Sequence, residues 1–216
     1  MKSTTKNMIL TTAVALLPII LGLSIYDRLP AQVPTHWNFS GEIDSYSSRA
    51  FAVFGMPVFL AAMSLFVQFM LEHDPKKSNM PGVMKAISRW LCPLLSIVIV
   101  PITLFTALGY NIPVALVICL AVGLIFIIIG NYLPKCRQSY TMGIRLPWTL
   151  SSEENWNRTH RMAGKLWVLG GFLFILEGFY TQAINSTLGT ALTFVLIFVT
   201  VAIPAVYSFM LYKKGI

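Results

Sequence analysis

Charge is scarce in this chain. Only 11% of its 216 residues are Asp, Glu, Lys or Arg, and the acids number 8 against 16 Lys and Arg, for a formal net charge of +8. Soluble domains carry about 25% charged and about 45–50% apolar residues, whereas 56% of these residues are hydrophobic. A soluble globular domain is thereby excluded, and lipid becomes the expected solvent. Cysteine is sparse too. Cys92, Cys119 and Cys136 show no CxxC spacing, and the first two lie inside apolar runs, which predicts neither a disulfide nor a zinc site. Blocks of apolar sequence separate the basic residues, and no aromatic-basic patch suits stacked bases, which argues against direct nucleic-acid binding. Absence of an internal repeat removes support for an inverted-repeat transporter. No nucleophile–base pair stands out, so catalysis and a cofactor are not expected.

Long apolar runs are what the chain has in plenty. Six are long enough to cross a bilayer: Met8 to Tyr26, Phe51 to Leu71, Trp90 to Gly109, Ile112 to Leu133, Lys165 to Ile184 and Leu188 to Tyr212. Backbone groups in lipid must pair within their own segment, so each run is predicted to be a helix. The first follows Lys2 and Lys6 like a signal peptide, but it exceeds an h-region of about 7–15 residues and lacks a small-x-small cleavage site before Asp27. It is therefore read as a membrane helix. Tyr110 and Asn111 divide the third run from the fourth in a tight hairpin, because one joint helix would span about twice the bilayer. Pro18, Pro57, Pro101 and Pro204 lie inside runs and are expected to bend them. The expected fold is an all-α integral membrane bundle of about six transmembrane helices. Its expected domains are 1–89, with two spans, and 90–216, with four.

Placing the N-terminus in the cytoplasm puts fourteen cations inside: Lys2, Lys6, Lys76, Lys77, Lys85, Arg89, Lys135, Arg137, Arg145, Arg158, Arg161, Lys165, Lys213 and Lys214. Only Arg28 and Arg49 fall outside. The positive-inside rule thus predicts that both termini are cytoplasmic.

Two loops hold most of the remaining information. The outside loop, Leu29 to Arg49, is stiffened by Pro30 and Pro34. Thr35 to Phe39 and Ile43 to Tyr46 could pair as a hairpin about a Ser40-Gly41 turn. Trp37, Phe39 and Tyr46 suit the headgroup region. Asn38-Phe39-Ser40 matches a glycosylation sequon. His36, Glu42 and Asp44 are too sparse a set for a metal site, and one local hydrogen bond is the simpler expectation for His36.

The cytoplasmic loop runs from Pro134 to Gly164. Ser151 and Glu154 form a capping box that predicts a helix start. Beyond it Trp156, His160, Ala163 and Trp167 share one face, with Arg158 and Arg161 elsewhere, which predicts an amphipathic interfacial helix before the fifth span. Arg145, Arg158 and Arg161 could meet lipid phosphates or an acidic partner. Glu177 is the one charged residue deep in a span. It should be neutral, hydrogen-bonded or in a wet cavity, with Gln68, Thr103, Thr106, Thr193 and Thr200 as candidate partners.

At these loops the chain resembles the SdpI family of bacterial membrane immunity proteins. The C-terminal half carries the family signature as Gly143-Ile-Arg-Leu-Pro-Trp-Thr-Leu150, followed by Trp156, Thr159-His-Arg161 and Gly164. The N-terminal half is similar to the small membrane domain that accompanies it, through Pro34, His36, Trp37, Asn38, Gly41 and Asp44. The resemblance implies a multi-pass protein of the bacterial cell membrane that gives resistance to a membrane-active peptide toxin. It also implies, in the family's named member, signalling by recruitment of a cytoplasmic repressor to the membrane.

On that basis His36, Trp37, Asn38, Gly41 and Asp44 are the candidates for toxin recognition. Gly143, Arg145, Pro147, Trp148, Thr149, Trp156, His160 and Arg161 are candidates for docking a cytoplasmic partner, with Glu177 as an intramembrane polar site. The expected partners are the lipid bilayer, a peptide toxin and a repressor protein. A rival reading is a small transporter or channel using Glu177 and the proline-bent helices. A second rival is a membrane enzyme using His36 with Asp44, or His160 with Glu153.

Overall fold

The computed structural model describes residues 2–38, 41–183 and 186–216. Phe39 and Ser40, half of the expected turn and part of the sequon, lie outside the described residues, as does Ile184, the expected end of the fifth span. The chain is an all-α multi-pass membrane protein. Six helices are long and apolar enough to span: Thr5–Ser24, Phe51–His73, Gly82–Ala107, Val114–Lys135, Glu153–Ala183 and Leu188–Lys213. They fall into two compact units, Met1–Glu72 with Lys85–Val114, and His73–Met84 with Ala115–Ile216.

In the first unit, helix α1 (Lys2–Leu16) stops one residue short of Pro18, which opens α2 (Pro18–Ser24). Proline at a first helical position costs no hydrogen bond, so the break falls where proline is harmless. A π-helical turn, Phe51–Gly55, precedes α3 (Met56–His73), and the Met56 N–H reaches back to Phe51 O. Pro57 has no N–H to give, and the widened turn just ahead of it accommodates that loss. Pro93 and Pro101 are both carried inside α4 (Gly82–Ala107). This helix starts eight residues before the expected Trp90, because its first turns are polar and invisible to a search for apolar runs; there Arg89 pairs with Glu72 at 2.8 Å. Gln68 donates to Thr11 Oγ1 at 2.9 Å and Ser96 donates to Ala15 O at 2.7 Å, so polar side chains bind these helices where lipid offers no competing partner.

Between α2 and α3 the strands β1 (Gln32–Trp37) and β2 (Ile43–Ser48) pair antiparallel, with Gln32 opposite Ser48 and Trp37 opposite Ile43. The hairpin is longer than the expected Thr35 to Phe39 pairing and begins three residues earlier. Pro34 sits inside β1 next to register irregularities, the place where a strand tolerates a missing N–H. The ribbon is seated by Leu29 and Val33, which are buried against Ala52, Val53, Val100 and Leu104.

The second unit contains α5 (Val114–Tyr132), α6 (Pro147–Ser151), α7 (Glu153–Ala183) and α8 (Ser186–Lys213). Helices α5 and α7 cross on glycine. A Cβ on Gly171 would lie 2.5 Å from Gly123 O, one on Gly164 would lie 2.7 Å from Gly130 O, and one on Gly178 would lie 2.7 Å from the Cys119 Cβ. These α7 glycines recur every seven residues, two turns apart, and let the backbones approach as closely as membrane helices do. Against α8, Trp167 donates its indole N–H to Thr200 O at 3.0 Å.

Two expectations for the loop between α5 and α7 are corrected. The cap of α7 is Ser152, not Ser151: the Asn155 N–H reaches Ser152 Oγ at 3.2 Å, while Ser151 ends α6 and donates to Trp148 O. Ser152 has the extended backbone of an N-cap, and Glu153 and Glu154 fill the first turn, where carboxylates suit the helix dipole. The helix then continues unbroken into the fifth span. The face of Trp156, His160 and Ala163 does not lie open to a membrane surface: all three are fully buried, with Gly143 of the loop packed on Trp156 and His160.

Candidate functional site

The tip of the hairpin is a polar device on a rigid base. Asn38 Oδ1 accepts the Glu42 N–H at 2.9 Å, the Asn38 N–H reaches Glu42 O at 2.8 Å, and Gly41 closes the turn with φ +81°. A residue with a Cβ is strained at that angle, which accounts for glycine here. The Asn38 amide also donates to Glu42 Oε2 at 3.1 Å. His36 Nδ1 lies 2.5 Å from Asp44 Oδ1, the single local hydrogen bond expected of it, with the side chains 68% and 42% exposed. Trp37 is half-buried and Tyr46 exposed. The structure thus brings His36, Trp37, Asn38, Gly41 and Asp44 together on one ribbon. That arrangement offers hydrogen-bonding groups of both kinds beside an aromatic ring. It presents no nucleophile for the His36–Asp44 pair to activate.

The motif between α5 and α7 forms a knot around Gly143. With φ +100°, Gly143 turns the chain where a Cβ would lie 2.5 Å from His160 Nε2 and 2.7 Å from the Trp156 ring. His160 Nε2 accepts the Ile144 N–H at 2.9 Å, so Nδ1 carries the proton and donates to Trp156 O at 2.8 Å. The imidazole stacks on the Trp156 indole with centroids 3.9 Å apart, and the indole N–H reaches Cys136 O at 2.8 Å. Thr149 Oγ1 accepts the Leu146 N–H at 2.8 Å, which caps α6 just ahead of Pro147. Trp148 packs on Phe209 and Tyr212, with its indole N–H buried and unpaired among the described residues.

Of the motif's cations, Arg145 donates to Tyr140 O at 2.7 Å, Arg158 pairs with Glu154 at 2.5 Å, and Arg161 is exposed. Gly143, Thr149, Trp156 and His160 therefore build the loop, while Arg145, Pro147 and Arg161 face outward. Glu153 is exposed and His160 is spent on two backbone bonds, so they form no acid–base pair.

Three residues that hold the knot escaped the sequence reading. Asp74 accepts the N–H groups of Lys76 at 2.7 Å, Tyr140 at 3.0 Å and Thr141 at 2.7 Å, tying the short preceding loop to the motif loop. Burial pushes its carboxyl up, but hydrogen bonds from Thr141, Lys76 and Tyr140 outweigh burial and hold it below the ordinary 3.8. Its signal was the Asp-Pro turn at Asp74 and Pro75. Gln138 donates to Thr149 O and Leu150 O, and Asn155 donates to Ser208 O while accepting from the Ser208 hydroxyl. Neither had a local signal.

Glu177 is 5% exposed. Its two oxygens accept from Thr181 at 2.7 Å and Cys119 at 3.0 Å, not from any of the five partners considered from sequence. Of those, Gln68 is spent on Thr11, and Thr193 and Thr200 bond carbonyls of their own helix. No cation approaches the carboxylate within ion-pair distance among the described residues.

Comparison with known proteins agrees with the resemblance read from the two loops. Residues 135–208 match the SdpI/YfhL protein family, and residues 13–61 match a domain of unknown function, DUF1648. The first match contains the knot residues from Cys136 to Ser208 but not Asp74; the second contains the hairpin. The chain is 27% identical over 209 residues to the protein called Immunity protein SdpI of Bacillus subtilis (strain 168), covering 97% of each. No solved structure matches it.

Proposed function

We propose that this chain, with its SdpI/YfhL segment at residues 135–208, is an immunity protein of the bacterial cell membrane that gives resistance to a membrane-active peptide toxin. The observation that carries this reading is the end-to-end similarity to an immunity protein, 97% of each chain. Shared short motifs alone would not carry it. The hairpin is the receptor element: anchored through Val33, its described polar residues His36, Asn38, Glu42 and Asp44 offer a peptide both donors and acceptors on the same ribbon as Trp37. Both termini lie in the cytoplasm, which places the hairpin outside and the Gly143 knot inside. On the inner face Arg145, Pro147 and Arg161 form the outward surface on which a cytoplasmic repressor docks.

The test uses cells lacking this gene, complemented with the chain or with an empty vector and challenged with peptide toxins encoded beside its relatives. Complemented cells should survive doses that kill the others. Equal survival against every toxin tried, with the protein present in the membrane, overturns the reading.

A further inference from the structure

Beside the close crossing of α5 and α7 at Gly130 and Gly164 lies an open groove of about 430 Å³. It is lined by Asn131, Pro134, Lys165, Val168, Leu169 and Phe172, together with the two glycines. Its polarity is graded along α7. Lys165 and Asn131, both exposed, stand at the end nearest the motif. Leu169, 58% exposed, and Phe172, 54% exposed, lead away from it, and Leu176 and Phe179 continue the same helical stripe.

From Lys165 to Leu176 the stripe runs about 16 Å at 1.5 Å per residue. That is about half of a hydrocarbon core roughly 30 Å thick, the depth of one leaflet. Arg161, exposed and one turn before Lys165, adds a second positive charge to the head of the stripe. Neither cation has a carboxylate partner among the described residues, since Glu154, on the same stripe, is held by Arg158.

We propose that the α5–α7 groove binds one anionic phospholipid, its phosphate on Lys165 and Asn131 and an acyl chain along Val168, Leu169 and Phe172. Charge selects the lipid: a zwitterionic headgroup would bring its own cation toward Lys165 and Arg161, whereas an anionic one brings none. Shape selects a lipid over a free anion, because most of the lining is apolar and only a chain covers it. The lipid site does not rest on the immunity role, although it shares Arg161 with the proposed docking surface.

The test takes the purified, delipidated chain in mild detergent. It is titrated with phosphatidylglycerol, with phosphatidylcholine of the same chain length and with glycerol 3-phosphate, and bound molecules are counted by native mass spectrometry. One phosphatidylglycerol should bind per chain, about tenfold tighter than the other two ligands. Lys165→Gln should weaken it about fivefold, and Lys165→Gln with Arg161→Gln about twenty-five-fold. Lys165→Arg should leave affinity unchanged and serves as the control for folding. Val168→Trp, which fills the groove, should remove the bound lipid at unchanged helix content. Equal binding of phosphatidylcholine, binding of glycerol 3-phosphate as tight as the lipid, or an unaltered Lys165→Gln affinity would each overturn the site.

Discussion

His160 and Ile144 are joined by a hydrogen bond in which the imidazole is the acceptor: the Ile144 N–H points at Nε2 from 2.9 Å. With Nδ1 donating to Trp156 O, both ring nitrogens are committed to backbone. His160→Phe keeps the stacked shape but leaves the part-buried Ile144 N–H without its acceptor, which costs about 1–3 kcal/mol. A lower melting temperature in detergent than wild type is expected. An unchanged one would show that the contact is not structural.

Trp148 gives the opposite expectation. Its indole N–H is buried and has no partner among the described residues, so Trp148→Phe should change stability by less than about 1 kcal/mol. Trp148→Ala, which empties the space against Phe209 and Tyr212, should cost about 3–5 kcal/mol. Similar losses in thermal melts of the two variants would contradict the stacking account.

For Asp74 the sign follows from its lowered pKa. A carboxyl that is more acidic in the folded state contributes stability that is fully present above its unfolded value. The contribution disappears as pH falls through the folded value. Wild type should therefore lose melting temperature on acidification below about pH 4. Asp74→Asn should start lower at neutral pH and lose less over the same range. Parallel curves would remove Asp74 as the acid-sensitive tie.

Glu177→Gln should insert and fold, because an amide keeps the shape and can still meet Thr181 and Cys119. Glu177→Lys puts a cation where no other acid waits among the described residues, which costs about 2.5–3.5 kcal/mol on insertion scales. Membrane abundance is the readout, and normal abundance of the Lys variant would place the position in water.

The two ends of the proposed receptor should fail separately. Trp37→Ala with Asp44→Ala should abolish toxin protection at normal abundance. Arg145→Ala with Arg161→Ala should spare protection and reduce recruitment of a cytoplasmic partner, scored by membrane fractionation. Full protection by the first pair would move recognition off the hairpin.

The spans were legible because lipid makes one simple demand, about 20 apolar residues in a row, and every run has its helix. Their ends were not, since Lys85, Arg89 and the turns from Glu153 to Gly164 are helical for reasons of capping and packing that hydropathy does not register. The motif residues could be named from the resemblance, but their division of labour could not. Amphipathic spacing places Trp156 and His160 on one face without saying whether lipid or protein covers it. The answer depends on Gly143, a partner seventeen residues from His160. Thr181, one turn from Glu177, was within reach of the i, i+4 rule; Cys119 on another helix was not.

The seam of Gly164, Gly171 and Gly178 also bears on how any message could cross this protein. Backbone against backbone at Gly164 and Gly171, with Gly178 against Cys119, leaves no room for α7 to slip by a single turn along α5, because a slip would drive Val168 or Ile175 into positions that tolerate no side chain. The pair is consequently a strut. A tilt of the pair near Glu177 would displace its other end about 20 Å away, where Gly164 meets Gly130 beside the motif loop. The transmission needs no moving parts between those two points.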